Sequence, residues 1–299
     1  MPNLVIRLVS KVEGPRFAAM VQHEPYRSIL AEQKPFKGVL IPVGLFDDER
    51  PMAILLGHIL PGENYCLLAG LGADISLMGK GLEKRMEAYL AEKCLGLNIK
   101  ELRFIYDSDS PGAPVINELL DQCGYSPPEP ELLVCRCDKR LANLALMGYT
   151  ELPAGLDTVN WLQLADEKRE AFRTLLPSFP WFEPRLSPFL NDAHICPEPS
   201  LAMMKGEEIV GWAICHQTDS DTIDYTTIEI FPEYQGVGTG IALQMRSIRR
   251  HLLTELADRF PYGRFVASYK DHARLRVLKK KFLPHAADWH DRMLRTRKL

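Results

Sequence analysis

The sequence predicts an α/β protein built from two similar domains in tandem, each a mixed, mostly antiparallel sheet flanked by helices. Three observations carry this reading. The chain has 299 residues, enough for two cores at roughly 150 residues per domain. Apolar residues make up 46% and charged residues 25%, a globular composition that excludes disordered and fibrous chains. A pattern of strands, glycine pair and helix then occurs twice, with Gly79/Gly81 and Gly238/Gly240 set 159 residues apart.

The first copy opens on residues 4–9, where apolar and polar residues alternate and Arg7 interrupts the apolar run, so a strand is expected rather than a cleaved leader. A short helix is expected over 16–22. Residues 39–46 and 52–57, separated by Asp47-Asp48-Glu49, read as a hairpin. The most apolar window, 65–79, is broken by Asp74 and is too short to span a bilayer, so no membrane segment is expected. After Gly79-Lys80-Gly81, Leu82, Met86, Tyr89 and Leu90 fall at helical spacing. A strand over 102–106 and a second helix then lead to Tyr125.

The second copy repeats this order. A strand over 159–164 and a helix over 167–176 come first. A hairpin over 201–204 and 209–215 turns at Lys205-Gly206-Glu207, and an apolar strand follows at 223–230. Beyond Gly238-Thr239-Gly240, a helix carrying Ile241, Leu243, Met245 and Ile248 is expected to run to about Leu256. The strand 264–267 and a last helix lead to Phe282. From the second glycine to the closing aromatic is 44 residues in one copy and 42 in the other. Repeats this long are duplicated domains rather than solenoid units. The boundary is expected within 138–155, with a connecting helix over 139–147, giving domains 1–150 and 151–299. Residues 176–199 carry six prolines, which excludes regular helix or central strand and predicts a long loop with Trp181 and Phe182 at its tip.

The net charge of −3 argues against a protein that works on nucleic acid or an anionic membrane through its overall field. Within the second copy the charge is uneven. Residues 151–245 hold 15 acidic and 5 basic side chains, whereas 246–299 hold 5 acidic and 15 basic. Seven cysteines point to reduced thiols and a cytoplasmic protein. Cys135 and Cys137 have no second Cys/His pair to complete a zinc site; they are expected on opposite faces of one strand, and no metal site is expected.

The sharpest motif is Gln235-Gly236-Val237-Gly238-Thr239-Gly240, between the apolar strand and the long helix. A strand–glycine loop–helix turn aims backbone N–H groups and the positive helix end at one point, which suits a phosphate or pyrophosphate. The loop lacks the Gly-Lys-Ser/Thr ending of a P-loop and the third glycine of a dinucleotide fingerprint.

Residues 230–240, Ile-Phe-Pro-Glu-Tyr-Gln-Gly-Val-Gly-Thr-Gly, resemble the acyl-CoA-binding motif of the GNAT N-acyltransferase superfamily, in Gln235, Gly238 and Gly240. Residues 265–282 resemble the family's second motif, and 289–295 look like its last strand. The resemblance covers nearly all of 156–299. The first copy is similar more loosely: Ser76-Leu77-Met78-Gly79-Lys80-Gly81 keeps both glycines but has Ser in place of Gln or Arg. The chain thus resembles a tandem GNAT protein whose first domain is degenerate.

That resemblance implies an acetyl-CoA-dependent N-acetyltransferase acting on a primary amine of a small molecule or peptide, by direct transfer in a ternary complex. Acetyl-CoA would be a co-substrate, and the protein a monomer or homodimer. Gln235, Gly236, Val237, Gly238, Thr239 and Gly240 would wrap the CoA pyrophosphate, the strand edge at Ile228 and Ile230 would pair with the pantetheine arm, and Lys270 would stand near the cofactor. In some members the base is a carboxylate eleven residues before the motif's Gln, which is Asp224 here; Glu229 is the other candidate. The basic residues Arg274, Arg276, Lys279, Lys280 and Lys281 would flank the CoA phosphates or form a solvated helix face. Two departures stand out. The usual proton-donating Tyr is Val277 in the second copy and Leu120 in the first, and the usual Asn is Lys270. The alternative is therefore a non-catalytic acyl-CoA-binding or structural module. The acidic half of the second copy favours a cationic acceptor.

Overall fold

A computed structural model describes residues 4–21, 26–33, 37–73, 80–217, 219–236 and 238–299. Val237 and the first-copy loop residues 76–79 lie outside the described residues. The chain divides into two compact units: Met1–Glu131 with Asp291–Leu299, and Leu132–His290.

In the first unit, β1 (Leu4–Leu8) is followed by two short helices, α1 (Gly14–Ala18) and α2 (Tyr26–Glu32). The hairpin β2 (Val39–Asp47) and β3 (Arg50–Ile59) leads to β4 (Tyr65–Ala73). Helix α3 (Leu82–Gly96) crosses over to β5 (Glu101–Asp107), which pairs parallel with β4, and α4 (Ala113–Gln122) follows. All other pairings are antiparallel. Each face of the sheet is covered, because alternate residues point to opposite sides. Ile41, Val43 and Leu55 pack under Met86 and Leu90 of α3, while Phe46, Ile54 and Leu56 pack against Phe17 and Leu30 of α1 and α2.

The second unit repeats the order. It begins with the inner part of β6 (Glu129–Cys137), followed by β7 (Leu156–Asn160) and α5 (Asp166–Leu175). The antiparallel strands β8 (Leu201–Lys205), β9 (Glu208–Gln217) and β10 (Thr222–Ile230) come next. Helices α6 (Thr239–Leu252) and α7 (Leu256–Arg259) lead to β11 (Tyr262–Ser268), parallel to β10, and α8 (His272–Val277) closes the repeat. On one face Leu243, Met245 and Ile248 of α6 cover the sheet; on the other an aromatic cluster of Trp161, Phe172, Trp212 and Phe231 does so. Ile241, placed on the apolar stripe by its spacing, is 38% exposed instead.

The closing strands are exchanged. Leu132–Cys137 pair with β11, while Arg292–Lys298 of β12 (Ala286–Lys298) pair with β5. Residues 291–295, expected to close the second domain, thus complete the sheet of the first unit, and the two compact units differ from a division at 150/151. Side chains fasten the exchanged segment. Arg295, 1% exposed, donates to the carbonyls of Ser126 (2.7 Å) and Asn117 (2.9 Å) and to Asp121. Arg297 pairs with the buried Glu87, which also accepts from the Tyr125 hydroxyl at 3.1 Å.

Two further expectations are corrected. Residues 139–147 do not form a connecting α-helix but two 3-10 turns, Lys139–Asn143 and Ala145–Gly148. The Asp138 side chain caps the first by accepting from the Arg140 N–H. Cys135 and Cys137 share one face, their sulfurs 3.6 Å apart in the buried core, because residues two apart on a strand point the same way.

Candidate functional site

Strand β10 runs along β9 from Ile223 to Ile230, but its register with β11 covers only Thr222–Asp224 against Tyr262–Arg264. Beyond Asp224 the two parallel neighbours part, and a bulge at Thr226 marks the start of the divergence. An extra residue in one strand bends it and exchanges its faces. Before the bulge Tyr225 points toward α6: its ring stacks on Phe265 at 4.4 Å and its hydroxyl meets His251 Nδ1 at 2.7 Å. After it, Ile228 and Ile230 pack with Leu243 of α6. Asp224 and Glu229 therefore share the opposite face, whereas an unbroken strand would have separated them.

The two carboxylates have different surroundings. Asp224 lies opposite Arg264 on β11, and its oxygens accept from Nε at 2.5 Å and Nη2 at 2.8 Å. Arg264 also meets Asp219 at 2.9 Å. Both oxygens of Asp224 are thus engaged by a bidentate guanidinium, the strongest common pairing for a carboxylate. Glu229 is half-buried beside its register partner Trp212. Burial pushes its carboxyl pKa up, and the Glu183 carboxylate adds to that rise; the Ile230 N–H, donating at 3.3 Å, opposes it. This is the setting in which a carboxylate approaches the basicity a general base needs.

Above this face lies the proline-rich segment. Trp181 and Phe179 meet Phe231 at 4.7 and 5.0 Å, and Trp212 Nε1 donates to the Leu186 carbonyl at 3.0 Å. Trp181 and Phe182, expected at a loop tip, are half-buried against the aromatic cluster. His216 is held by Thr226 Oγ1 at 2.7 Å and the Leu190 carbonyl at 2.8 Å. Both ring nitrogens are engaged, and burial lowers its pKa, so it serves as a strut.

At the edge of the divergence, the Phe231 N–H bonds Val210 of β9, so by alternation the backbone groups of Ile230 and Ile228 point away from β9, into the opening. The Ile230 carbonyl accepts from Gln235 Nε2 at 2.7 Å. The chain then passes through Pro232–Tyr234 and Gly236 to Gly238, which caps α6 with φ +92°. A side chain is strained at that φ. A Cβ at Gly238 would meet nothing within 4 Å, and one at Gly240 only the Ile230 side chain at 3.8 Å, so open space stands before the helix start. The Thr239 hydroxyl, at a residue only 2% exposed, is buried without a hydrogen-bond partner among the described residues. First-turn amides, the helix dipole and this orphaned hydroxyl fit an anionic, phosphate-bearing group.

Lys270 lies on the exposed turn after β11, its N–H donating to Ser268 Oγ at 3.2 Å. Arg274 is half-buried and its pKa lowered by desolvation, while Arg276, Lys279, Lys280 and Lys281 are exposed. Val277 ends α8, 44% exposed. The sequence did not single out Arg264; its signal was an Arg at the start of the strand that pairs parallel with the one Asp224 opens.

Neither a protein-family model nor a curated protein matches the sequence. Solved structures do match the fold. A tandem GNAT protein from the clavulanic acid biosynthesis pathway, solved without AcCoA, aligns with TM-score 0.67 at 12% identity over 99% of this chain and 98% of that one. A GCN5-related N-acetyltransferase from Sphaerobacter thermophilus aligns with TM-score 0.53 at 14% identity, covering 100% of this chain and 96% of the other. A conserved protein from Enterococcus faecalis V583, described as a probable N-acyltransferase, aligns with TM-score 0.54 at 12% identity over 100% and 73%. The mixed sheet, the paired repeats and these alignments agree: the chain has the tandem GNAT fold.

Proposed function

We propose that the chain is an acetyl-CoA-dependent N-acetyltransferase whose second unit, Leu132–His290, binds the acyl donor and transfers its acyl group to a primary amine of a small molecule or peptide. The observation that carries this is the parting of β10 from β11 after Asp224, which leads directly to a glycine loop at the start of α6. The donor would supply an acyl group activated as a thioester. Gln235, Gly236, Val237, Gly238, Thr239 and Gly240 hold its phosphates, and Ile228 and Ile230 present the strand edge to its amide arm. The Gln235 amide, on the Ile230 carbonyl in this structure, swings away or shares that acceptor when the arm pairs.

Glu229 takes one proton from the acceptor ammonium, freeing the nitrogen lone pair; the C–N bond forms as the C–S bond breaks. The nitrogen releases its second proton to solvent, and the thiolate takes its proton from solvent, since Val277 has none to give. Asp224 holds Arg264 and so fixes the closed end of the opening. Glu183 and Glu229, with the aromatic wall of Phe179, Trp181 and Phe231, favour a cationic acceptor. Direct transfer in a ternary complex is supported by an open strand edge for the donor beside an acidic, aromatic face for the acceptor.

The second reading, a non-catalytic acyl-CoA-binding module, is favoured by Val277. Calorimetry with acetyl-CoA and mass-spectrometric assay over a panel of amino acids, polyamines and peptides separate the two. Binding lost in Gly238→Trp together with acetylated product supports the enzyme; binding without product supports the module; no binding ends both.

A further inference from the structure

The second unit carries a groove past the end of β10 that the transfer step leaves unused. It lies between α5, the start of β9 and the turn Pro232–Tyr234, with a volume of about 390 Å³. That volume is in the range of small-ligand sites. The floor is apolar and aromatic. Phe172 and Phe231 stack at 6.3 Å, Phe179 meets Phe231 edge-on at 5.0 Å, and Ile209 lines the same hollow. Leu175 stands at the rim, 51% exposed, so apolar surface continues from the floor to the solvent.

The free charge on the rim has one sign. Glu207, Glu208 and Glu233 line the groove, and the cations beside them are committed: Lys168 pairs with Glu207 at 2.5 Å, and the Lys205 ammonium stands 5.0 Å from the centre of the Tyr234 ring. Glu208 and Glu233 are exposed and have no ion pair among the described residues. Aromatic faces attract a cation as the carboxylates do. An ammonium on an alkyl chain therefore meets the floor and the rim at once, whereas a ligand carboxylate finds no free cation in this lining.

The groove also continues the face that carries Glu229. Phe231 lies two residues further along that face, so the groove begins about 7 Å along the strand from Glu229. Phe179 and Phe231 border both places. One ammonium cannot occupy both; two ammoniums joined by several methylenes can. We propose that the groove holds the second ammonium of a linear diamine or polyamine acceptor. Its methylenes lie on the Phe179–Phe231 wall, its far end is at Glu208 and Glu233, and its reacting amine is at Glu229. The position of the reacting end rests on the acyl-transfer reading, while the affinity of the groove for a diammonium ligand does not.

Calorimetric titration of the full chain, with and without CoA, compares four ligands. Cadaverine and spermidine carry two or more ammoniums, n-hexylamine replaces one ammonium of cadaverine by methyl, and lysine adds a carboxylate to it. Cadaverine or spermidine is expected to bind at least about tenfold more tightly than n-hexylamine or lysine, the combined size of a cation–π contact and exposed carboxylate pairs. The double variant Glu208→Gln/Glu233→Gln is expected to erase that advantage without moving the thermal melt. Glu151→Gln/Glu167→Gln, an equal change of charge at exposed residues outside the groove lining, is expected to keep it. Absence of saturable binding by both polyamines, equal affinity for n-hexylamine or lysine, an advantage that survives the groove variant, or one lost equally in the distant variant would each overturn the proposal. Mass-spectrometric assay of the same ligands with acetyl-CoA separates this from the reading beneath it. Diamine binding without acetylated product supports the groove and fails the transfer reading; equal acetylation of cadaverine and n-hexylamine keeps the transfer and overturns the role of the groove.

Discussion

Asp224 on β10 and Arg264 on β11 face each other at the last register pair before the two strands part, joined by contacts of 2.5 and 2.8 Å. Both side chains are about four-fifths buried. The pair therefore works as a clasp at the closed end of the opening. Arg264→Met is expected to lower stability by about 1–3 kcal/mol, because it leaves a mostly buried carboxylate without its partner. Denaturant unfolding measures this, and an unchanged midpoint would remove the clasp role.

Glu229 stands on the same face without such a partner. Glu229→Gln is expected to lower kcat about 10²- to 10⁴-fold, the range for loss of a general base, whereas Asp224→Asn should act mainly through stability. Because burial raises the Glu229 pKa, wild-type activity should fall as pH drops through a value above the ordinary carboxylate range, and the residual activity of Glu229→Gln should lack that limb. For stability the sign is opposite. A carboxyl with a raised folded-state pKa supports the fold below its unfolded pKa and loses that support as pH rises through the folded one. Glu229→Gln should therefore gain on wild type at the alkaline end of that window.

Gly238 combines a left-handed backbone with open space in front of it. Gly238→Ala should cost about 1–2 kcal/mol of stability from backbone strain, and a bulkier side chain should in addition block acetyl-CoA. Differential scanning calorimetry reads the first effect and titration the second; a tryptophan at 238 that leaves acetyl-CoA affinity intact would displace the site from the loop.

The strand exchange makes each half of the chain depend on the other. A fragment of residues 1–150 lacks the partner of β5 and leaves Glu87, buried against Arg297 and Tyr125, without its cation. It should be unfolded by circular dichroism, and co-expression with 151–299 should restore structure. In the intact chain Arg297→Met should destabilise by about 3–5 kcal/mol, the range for one partner removed from a buried pair.

All seven cysteines are free and buried. Ellman's reagent should find none of them reactive until the protein unfolds. The hydrogen bond from the neighbouring Cys135 and burial push the Cys137 thiol up, so Cys137 should stay unreactive in the folded protein.

The sequence by itself determined what is local. Both hairpins appear where apolar alternation and turn residues placed them, α3 starts after Gly81 and α6 after Gly238, and the divergence of β10 ends at the hexad that the motif singled out. These depend on periodicity, turn chemistry and the helix start, all written within a few consecutive residues. Only the tertiary structure decided the rest, because it rests on pairings between distant segments. The bulge at Thr226 moves Glu229 onto the face of Asp224, and a count by twos along the strand has no means to foresee one inserted residue. Arg264, forty residues downstream, occupies the carboxylate that the family resemblance offered as base. The exchange of β6 and β12 sets the compact units, since a strand joins whichever free edge its register and its buried arginines satisfy, not the edge nearest in the chain.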